Sequence, residues 1–394
     1  MAQDSYKALN INTIYELILS RKLLSKKEIQ RITTYSWGTV SCTVNRLLEY
    51  HFIDEIDAPK SIPGRPPKYY QINPNRFMFI GMDIGSEYIR IALTGADNRI
   101  LFSDTTPISA IEQHYIINVA ILFLKNFIHR HDLENQSILG LGISIVFSSN
   151  RKTGVPLFPP YIKGWNSDSL LQTFREQFSF PVSVAHTSNC LALAELLKRP
   201  DDMSSNIFFV NIDMDLSTSM LLDGYIHPDY KLSSEFGHIA VYDTEDNSYR
   251  RLQDICSING IASDYRRHML VRDILSADEL DRLSSGEICN NLYQQACSGE
   301  SEAQKYFRKA GYFLGIGISH ILNIINPDTV ILGGTFMNYS DLFLPETVRI
   351  ARQYAYKYSS NNIQPAVSNK YGAAVGASAL FQADRPWRRL LEQI

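Results

Sequence analysis

Apolar residues recur at helical spacing in three short stretches near the start of the chain. Ile11, Ile14, Tyr15, Ile18 and Leu19 predict a helix over 10–19. Ser25, followed at the third position by Glu28, is the capping-box arrangement and opens a second helix through Ile29. After a turn at Thr33-Thr34-Tyr35, Ser36 can cap a third helix from Trp37 to Tyr50, whose Val40, Val44, Leu47 and Leu48 recur at the spacing of one face. Thr39, Ser41, Cys42, Asn45 and Arg46 are left on or near the other faces. The pattern then changes to that of strands. Phe52–Ile56 reads as one strand and Lys68–Ile72 as its partner, with Ser61-Ile62-Pro63-Gly64-Arg65-Pro66-Pro67 between them as a stiff loop presenting an arginine among prolines. This order predicts a helix-turn-helix followed by a wing over 1–75, with Asn73-Pro74-Asn75 as the boundary.

Beyond that boundary the pattern is α/β. Phe77–Asp83 is a nearly unbroken apolar run, and a tight turn at Ile84-Gly85-Ser86 leads into a second strand, Tyr88–Leu93. A helix over Gln113–His129 and a strand over Gly140–Val146 follow, in a first lobe expected to span 76–195. Ile207–Ile212 and Ser219–Gly224 repeat the theme of strand, loop and strand. Helices are predicted over Asn259–Met269, Ala277–Leu283, Cys289–Cys297 and Glu302–Asn326, the last ending at Pro327. Thr329–Leu332 is a strand that runs into Gly333-Gly334, and Tyr371–Ala377 starts a closing helix of small residues. The second lobe is expected over 196–378, with 379–394 returning to the first. Two similar lobes with glycine loops at strand ends imply a cleft between them.

Composition adds little to this, but charge adds a good deal. At 394 residues, 45% apolar and 20% charged, the chain has the make-up of a soluble protein of two or three domains. No apolar run approaches the length of a membrane span, and the polar start Met1-Ala2-Gln3-Asp4 offers no signal peptide, so a cytoplasmic protein without membrane contact is expected. Five widely spaced cysteines, Cys42, Cys190, Cys256, Cys289 and Cys297, fit a reducing compartment better than a disulfide framework. The chain carries a net charge of −3, yet residues 1–76 hold eleven Lys and Arg against seven Asp and Glu. Phosphate attraction is therefore a property of one end only. A short polar first turn on a helix backed by another helix is what the major groove accepts, and an arginine between prolines suits a narrow minor groove. The candidate DNA contacts are Ser36, Trp37, Thr39, Ser41, Asn45, Arg46, Arg65 and Lys68. Helix-turn-helix geometry also serves protein-binding modules; the two-helix spacing, the Gly-Arg-Pro-Pro wing and the local charge together favour DNA.

The order of winged helix, Asp83-Ile84-Gly85 hairpin, Gly164-Trp165-Asn166, Glu235-Phe236-Gly237-His238 and Gly333-Gly334 resembles the ROK family, whose repressors and sugar kinases share an actin-like, ribonuclease-H-like two-lobed fold. The likeness covers nearly the whole chain. Because the family's kinases lack the N-terminal winged helix, it points to the branch of repressors that respond to xylose or N-acetylglucosamine. The resemblance also implies that kinase chemistry has been dismantled. The family's general base is the Asp of an Asn-Asp pair, and Thr187 in His186-Thr187-Ser188-Asn189 stands at that position. A neutral hydroxyl cannot take the sugar's proton near neutral pH. Ser86 and Glu87 follow the hairpin where the family has glycine and threonine, and Asp213-Met214-Asp215-Leu216-Ser217-Thr218-Ser219 sets two carboxylates and no glycine where a phosphate loop would be. No catalytic residue and no cofactor are therefore expected. Of the His and three Cys that hold structural zinc in family members only His238 and Cys256 are matched, so no metal site is expected either and Cys256 reads as a buried thiol.

On the sugar side, the resemblance leaves Glu235 and His238 to bond sugar hydroxyls, with Tyr161 in place of an Asn, Thr187 in place of the Asp and Asn259 in place of a Glu. Asn166 completes the expected effector set. Such a pocket has exchanged carboxylates for a phenol, a hydroxyl and an amide, which suits a bulkier, modified or acidic sugar derivative with Tyr161 stacked on a ring face. The expectation is a transcriptional regulator of carbohydrate genes, a repressor acting as a homodimer or homotetramer on an inverted-repeat operator in double-stranded DNA. The alternatives are an ATP-dependent sugar kinase with an appended regulatory domain and a ligand-independent regulator whose body serves only assembly.

Overall fold

A computed structural model describes the chain except for residues 1, 58–67, 110–111, 135–137, 147, 150–155, 159–161, 164–166, 200–204, 227–234, 273, 275, 360–361, 368–369, 382–386 and 392–394. Its first helix, α1 (Ala2–Arg21), runs longer than the apolar stripe that buries Ile11, Ile14, Tyr15 and Ile18. A short strand, β1 (Leu24–Ser25), leads into α2 (Lys26–Thr33). The capping box forms: the Ser25 amide donates to Glu28 Oε2 at 2.8 Å, and the Glu28 amide donates to Ser25 Oγ at 3.4 Å. Loss of such a cap costs about 1 kcal/mol. Thr34 then turns the chain with φ at 60°, its N–H still bonded to Gln30 O at 2.9 Å. A β-branched residue is strained there, and the tight turn it makes leads directly into α3 (Trp37–Glu49), which buries Val40, Thr43, Val44 and Leu47. Two further strands, β2 (Ile53–Asp57) and β3 (Lys68–Ile72), pair antiparallel, and β1 pairs with the other edge of β3. This is the expected winged helix; the wing's tip, with Arg65, lies outside the described residues.

The first α/β lobe begins with an antiparallel meander of β4 (Met78–Ile84), β5 (Tyr88–Gly95) and β6 (Ile100–Pro107). It continues through α4 (Gln113–Arg130), β7 (Ile138–Ile145), the short β8 (Ser148–Ser149) and β9 (Pro156–Phe158), α5 (Ser167–Gln177), β10 (Val182–His186) and α6 (Thr187–Leu197). The sheet order is β10-β7-β4-β5-β6, with β10, β7 and β4 parallel. Alternation along β4 sends Met78, Ile80, Met82 and Ile84 into a core with Leu124 and Phe127 of α4 and Phe174 of α5.

The second lobe repeats the plan with fewer strands. It comprises β11 (Ile207–Ile212), β12 (Leu216–Leu221), β13 (Ala240–Asp243), β14 (Ser248–Arg251), α7 (Gln253–Cys256), α8 (Ile258–Val271), α9 (Ala277–Asp281), α10 (Ser285–Cys297), α11 (Ser301–Ile324), β15 (Thr329–Gly333), α12 (Ser340–Tyr354) and β16 (Ile363–Pro365). The main sheet has the order β12-β11-β15-β16, with β15 parallel to both its neighbours. A charged cluster ties the β13–β14 hairpin to the helices. The Arg250 guanidinium meets Asp264 of α8 at 2.8 Å and Asp246 at 2.9 Å, while Lys309 of α11 donates to Asp243 at 2.7 Å. The phosphate-loop expectation needs correction here. Instead of a loop over Asp213–Ser219 and a strand over Ser219–Gly224, Leu216 already pairs with Ile212, so only Asp213–Asp215 turn between the strands. The inward alternation of Leu216 and Thr218 is what draws those residues into the sheet.

The chain closes with α13 (Gly372–Ser378) and α14 (Trp387–Leu391). α13 lies on the first sheet so closely that a Cβ on Gly81 would stand 1.7 Å from Ala374 O, and one on Gly142 would stand 1.8 Å from Ala377 O. Glycine is required at both positions. The return to the first lobe therefore begins at Tyr371 and not at 379, because the small residues of α13 fit the glycine face of β4 and β7. The winged helix also shares a core with that lobe: Ile14, Tyr15, Val44 and Phe52 pack in one cluster with Phe77, Phe79, Trp387 and Leu391. Two compact units result, one of Met1–Ser148, Val155–Pro200 and Tyr371–Ile394, the other of Ser149–Gly154 and Asp201–Lys370. Among the described residues no helix is long and apolar enough to cross a membrane.

Candidate functional site

Six of the eight candidate DNA contacts lie on α3 or at its cap, Lys68 lies on β3, and Arg65 is outside the described residues. Ser36 is the N-cap of α3: its Oγ accepts from the Thr39 amide at 3.1 Å and shares a hydrogen bond with the Thr39 hydroxyl at 2.8 Å. Ser36, Trp37 and Asn45 are exposed, and Thr39, Ser41 and Arg46 are half-buried, while the opposite face of α3 is core. Trp37 is 49% exposed at the first helical position, a large ring left half in solvent on a helix whose other face is core. Lys68 is less free than expected. Its ammonium meets Asp57 at 2.8 Å and Glu55 at 3.3 Å across the strand pair, so these carboxylates offset its charge. Lys26 was not singled out by pattern: from the first position of α2 it donates to Asn45 Oδ1 at 2.7 Å and to Ser41 Oγ at 3.3 Å. No spacing rule signals that contact, since it joins residues on two crossing helices.

In the first unit the positions assigned to nucleotide and sugar form one chain of contacts. Asp83, at the end of β4, is buried and accepts from Ser144 Oγ at 2.8 Å; that oxygen lies 3.1 Å from Thr187 Oγ1. Arg90, opposite Asp83 in the β4–β5 register, brings its guanidinium to 3.5 Å from the carboxylate. Burial pushes the Asp83 carboxyl above the usual range, against the pull of Ser144 and Arg90. Thr187 begins α6 directly after His186, whose Nδ1 accepts from the Ser188 amide at 3.2 Å. Burial pushes His186 down to about 4, which keeps the ring neutral and able to cap the helix. Tyr161 and Asn166 lie outside the described residues.

The second unit holds the remaining candidates. Glu235 and His238 flank a single helical turn, with His238 Nε2 at 3.8 Å from Glu235 Oε2 and both side chains about half exposed. Phe236 between them is buried edge-on against Phe208, 5.8 Å between ring centres, and this anchors the turn. Asn259, at the start of α8, serves the β11–β12 turn: its amide donates to Met214 O at 3.1 Å and its Nδ2 to Asp215 Oδ1 at 3.5 Å. Asp213 is also engaged, accepting from Thr335 Oγ1 at 2.6 Å. Gly334 follows with φ at 96°, and a Cβ there would stand 2.1 Å from Ile212 O, so close packing alone accounts for this glycine. Cys256 is fully buried, its thiol raised by burial and donating to Ala310 O at 3.3 Å.

Three N-terminal helices with a strand pair, joined to two α/β units of the actin-like kind, the first with the carboxylate of its β4–β5 hairpin paired to an arginine, define the class of fold. The chain belongs to the ROK family, which its residues 79–384 match. It is similar to the xylose repressor of Caldicellulosiruptor bescii, 22% identical over 393 residues that cover 96% of each chain. It is equally similar to the DNA-binding transcriptional dual regulator NagC of Escherichia coli K12, 22% identical over 386 residues, 96% of this chain and 93% of that one. Among solved structures, a ROK family transcriptional regulator homologous to the E. coli Mlc protein superposes with a TM-score of 0.74 at 21% identity, covering 98% of both chains. The ROK family glucokinase of Streptomyces griseus, solved with glucose and AMPPNP, superposes with a TM-score of 0.60 at 17% identity and covers 77% of this chain and 98% of its own.

Proposed function

We propose that the protein is a transcriptional repressor of carbohydrate genes that reads double-stranded DNA through α3 and its wing and takes a sugar or sugar derivative as effector. The observation that carries this reading is the face of α3 left out of the core, which runs from the exposed Ser36 cap and Trp37 through half-buried Thr39 and Ser41 to exposed Asn45 and half-buried Arg46, on a helix in contact with α2. A helix so presented reaches base edges in the major groove. Arg65 is proposed as the wing's minor-groove contact. The names of the full-length relatives, xylose repressor and NagC, support the same reading. Two copies acting on an inverted repeat would match the two-fold symmetry of such operators.

The body is proposed to bind without catalysing. Thr187 supplies no carboxylate, and Asp83 is already paired with Arg90 and Ser144. Glu235 and His238 supply an acceptor and a donor that suit sugar hydroxyls, and the polar groups of Tyr161, Asn166, Thr187 and Asn259 are the further effector contacts that the family resemblance assigns. A mobility-shift titration tests the DNA reading. Arg46→Ala is expected to weaken operator binding by roughly 1–3 kcal/mol if it meets a base, or to lower the salt slope by about one if it meets a phosphate. Thr39→Ala is expected to weaken binding less. Unchanged affinity and unchanged salt slope in both variants would remove α3 from the interface.

A further inference from the structure

The crossing of α2 and α3 is bridged by one side chain with consequences for base reading. The Lys26 ammonium donates to Asn45 Oδ1 at 2.7 Å and to Ser41 Oγ at 3.3 Å, and it lies 5.7 Å from the centre of the Tyr70 ring. It is thus held from two sides, by acceptors on α3 and by an aromatic face on β3. Lysine has only donors, so the amide atom facing it must be the oxygen, and Asn45 Nδ2 is the donor left to meet anything else. Ser41 and Asn45 stand one helical turn apart on the same face of α3. Each gives one acceptor lone pair to Lys26, whose ammonium then stands beside the remaining one, and each keeps a donor.

A free asparagine pairs with adenine in the major groove by accepting from N6 and donating to N7. Oδ1 keeps a second lone pair, but with the ammonium 2.7 Å from that oxygen an approaching adenine N6 donor meets a positive charge at the same acceptor, which disfavours the pair. Guanine presents N7 and O6, both acceptors, and so matches the donor that Asn45 keeps. We infer that Lys26 is a specificity-determining residue: by setting its positive charge against the acceptors of Ser41 and Asn45 it favours acceptor-rich base edges at this part of α3, so that each half-site presents guanine, not adenine, to Asn45. This rests on the DNA-binding reading of α3, and Lys26 acts as a positioning residue through Ser41 and Asn45.

The test uses the intact chain. An operator is first selected from a random duplex pool, and all four base pairs are then placed at each position and ranked by competition anisotropy. Wild type should prefer guanine at one position per half-site, and Asn45→Ala should level the four bases there. Lys26→Met, which keeps the aliphatic stem over Tyr70, should shift that position toward adenine by about tenfold relative to guanine, the size of one modest paired contact. Lys26→Arg, which keeps the donors, should restore the wild-type ranking, and a melting temperature within a few degrees of wild type shows that each variant folds. A Lys26→Met protein that binds the operator with its ranking unchanged at every position, or that binds all duplexes equally more weakly, would overturn the inference while leaving DNA binding by α3 intact. Failure of the wild type to select any operator would take down the reading of α3 and this inference with it.

Discussion

Around the Asp83 carboxylate stand the Ser144 hydroxyl at 2.8 Å and the Arg90 guanidinium at 3.5 Å, and these two neighbours compete with any magnesium ion for its oxygens. Arg90 is placed there by sheet register, directly opposite Asp83. A coupled ADP-release assay with magnesium, ATP and a panel of hexoses and amino sugars should therefore show no steady turnover. Thr187→Asp alone should not create it, since the new carboxylate would still face an Asp83 tied to Arg90. Steady turnover abolished by Asp83→Ala would contradict this. That no carboxylate stands where the resemblance puts the family's base was legible in the sequence, because Thr187 can be read off the His186-Thr187-Ser188-Asn189 segment. The Asp83–Arg90 pair was not, since which side chains face each other across two strands depends on a turn whose length the sequence left open. Lys26 was invisible for a related reason: its partners lie 15 and 19 residues away on a helix whose crossing the periodicity does not specify.

At the scale of elements, α14 is the piece whose role exceeds its length. Trp387 lies within 6.3 Å of the Tyr15 ring on α1 and 6.4 Å of Phe79 on β4, and Arg388 pairs with Glu16 at 2.7 Å. The end of the chain thus helps close the core on which the winged helix is built. Trp387→Ala should cost about 3 kcal/mol, as emptying a buried aromatic site does. Hydrogen exchange checks this locally: amides of 11–18 and 40–47 should lose protection, while those of α11 and α12 should not. Unchanged protection in α1 and α3 would show that the shared core contributes nothing to the winged helix. α2 and α3, with their serine caps, and α11, with its long apolar stripe, were legible in advance. β6 was not, because an edge strand of mostly exposed and half-buried residues carries little alternation. α12 escaped because Pro345 lies inside it as its sixth residue, where a proline ordinarily marks a helix end. The Asp213–Asp215 turn was read as a long phosphate loop because polar Ser217, Thr218 and Ser219 look like loop residues until they are seen paired in a sheet.

At the scale of the whole molecule, charge divides the chain. Residues 1–76 carry the cationic excess while the complete chain is at −3, so phosphate attraction is concentrated on the winged helix. Named repressors match 96% of this chain, whereas the glucokinase covers 77% of it. Selection of duplexes from a random pool by the intact chain, followed by affinity against salt concentration, measures the central claim most directly. An enriched inverted repeat is expected, with the logarithm of the binding constant falling linearly with that of salt at a slope of roughly −0.9 for each phosphate neutralised. A pool that emerges without enrichment, bound no more tightly at low salt than at high, would contradict the assignment of the N-terminal end to DNA.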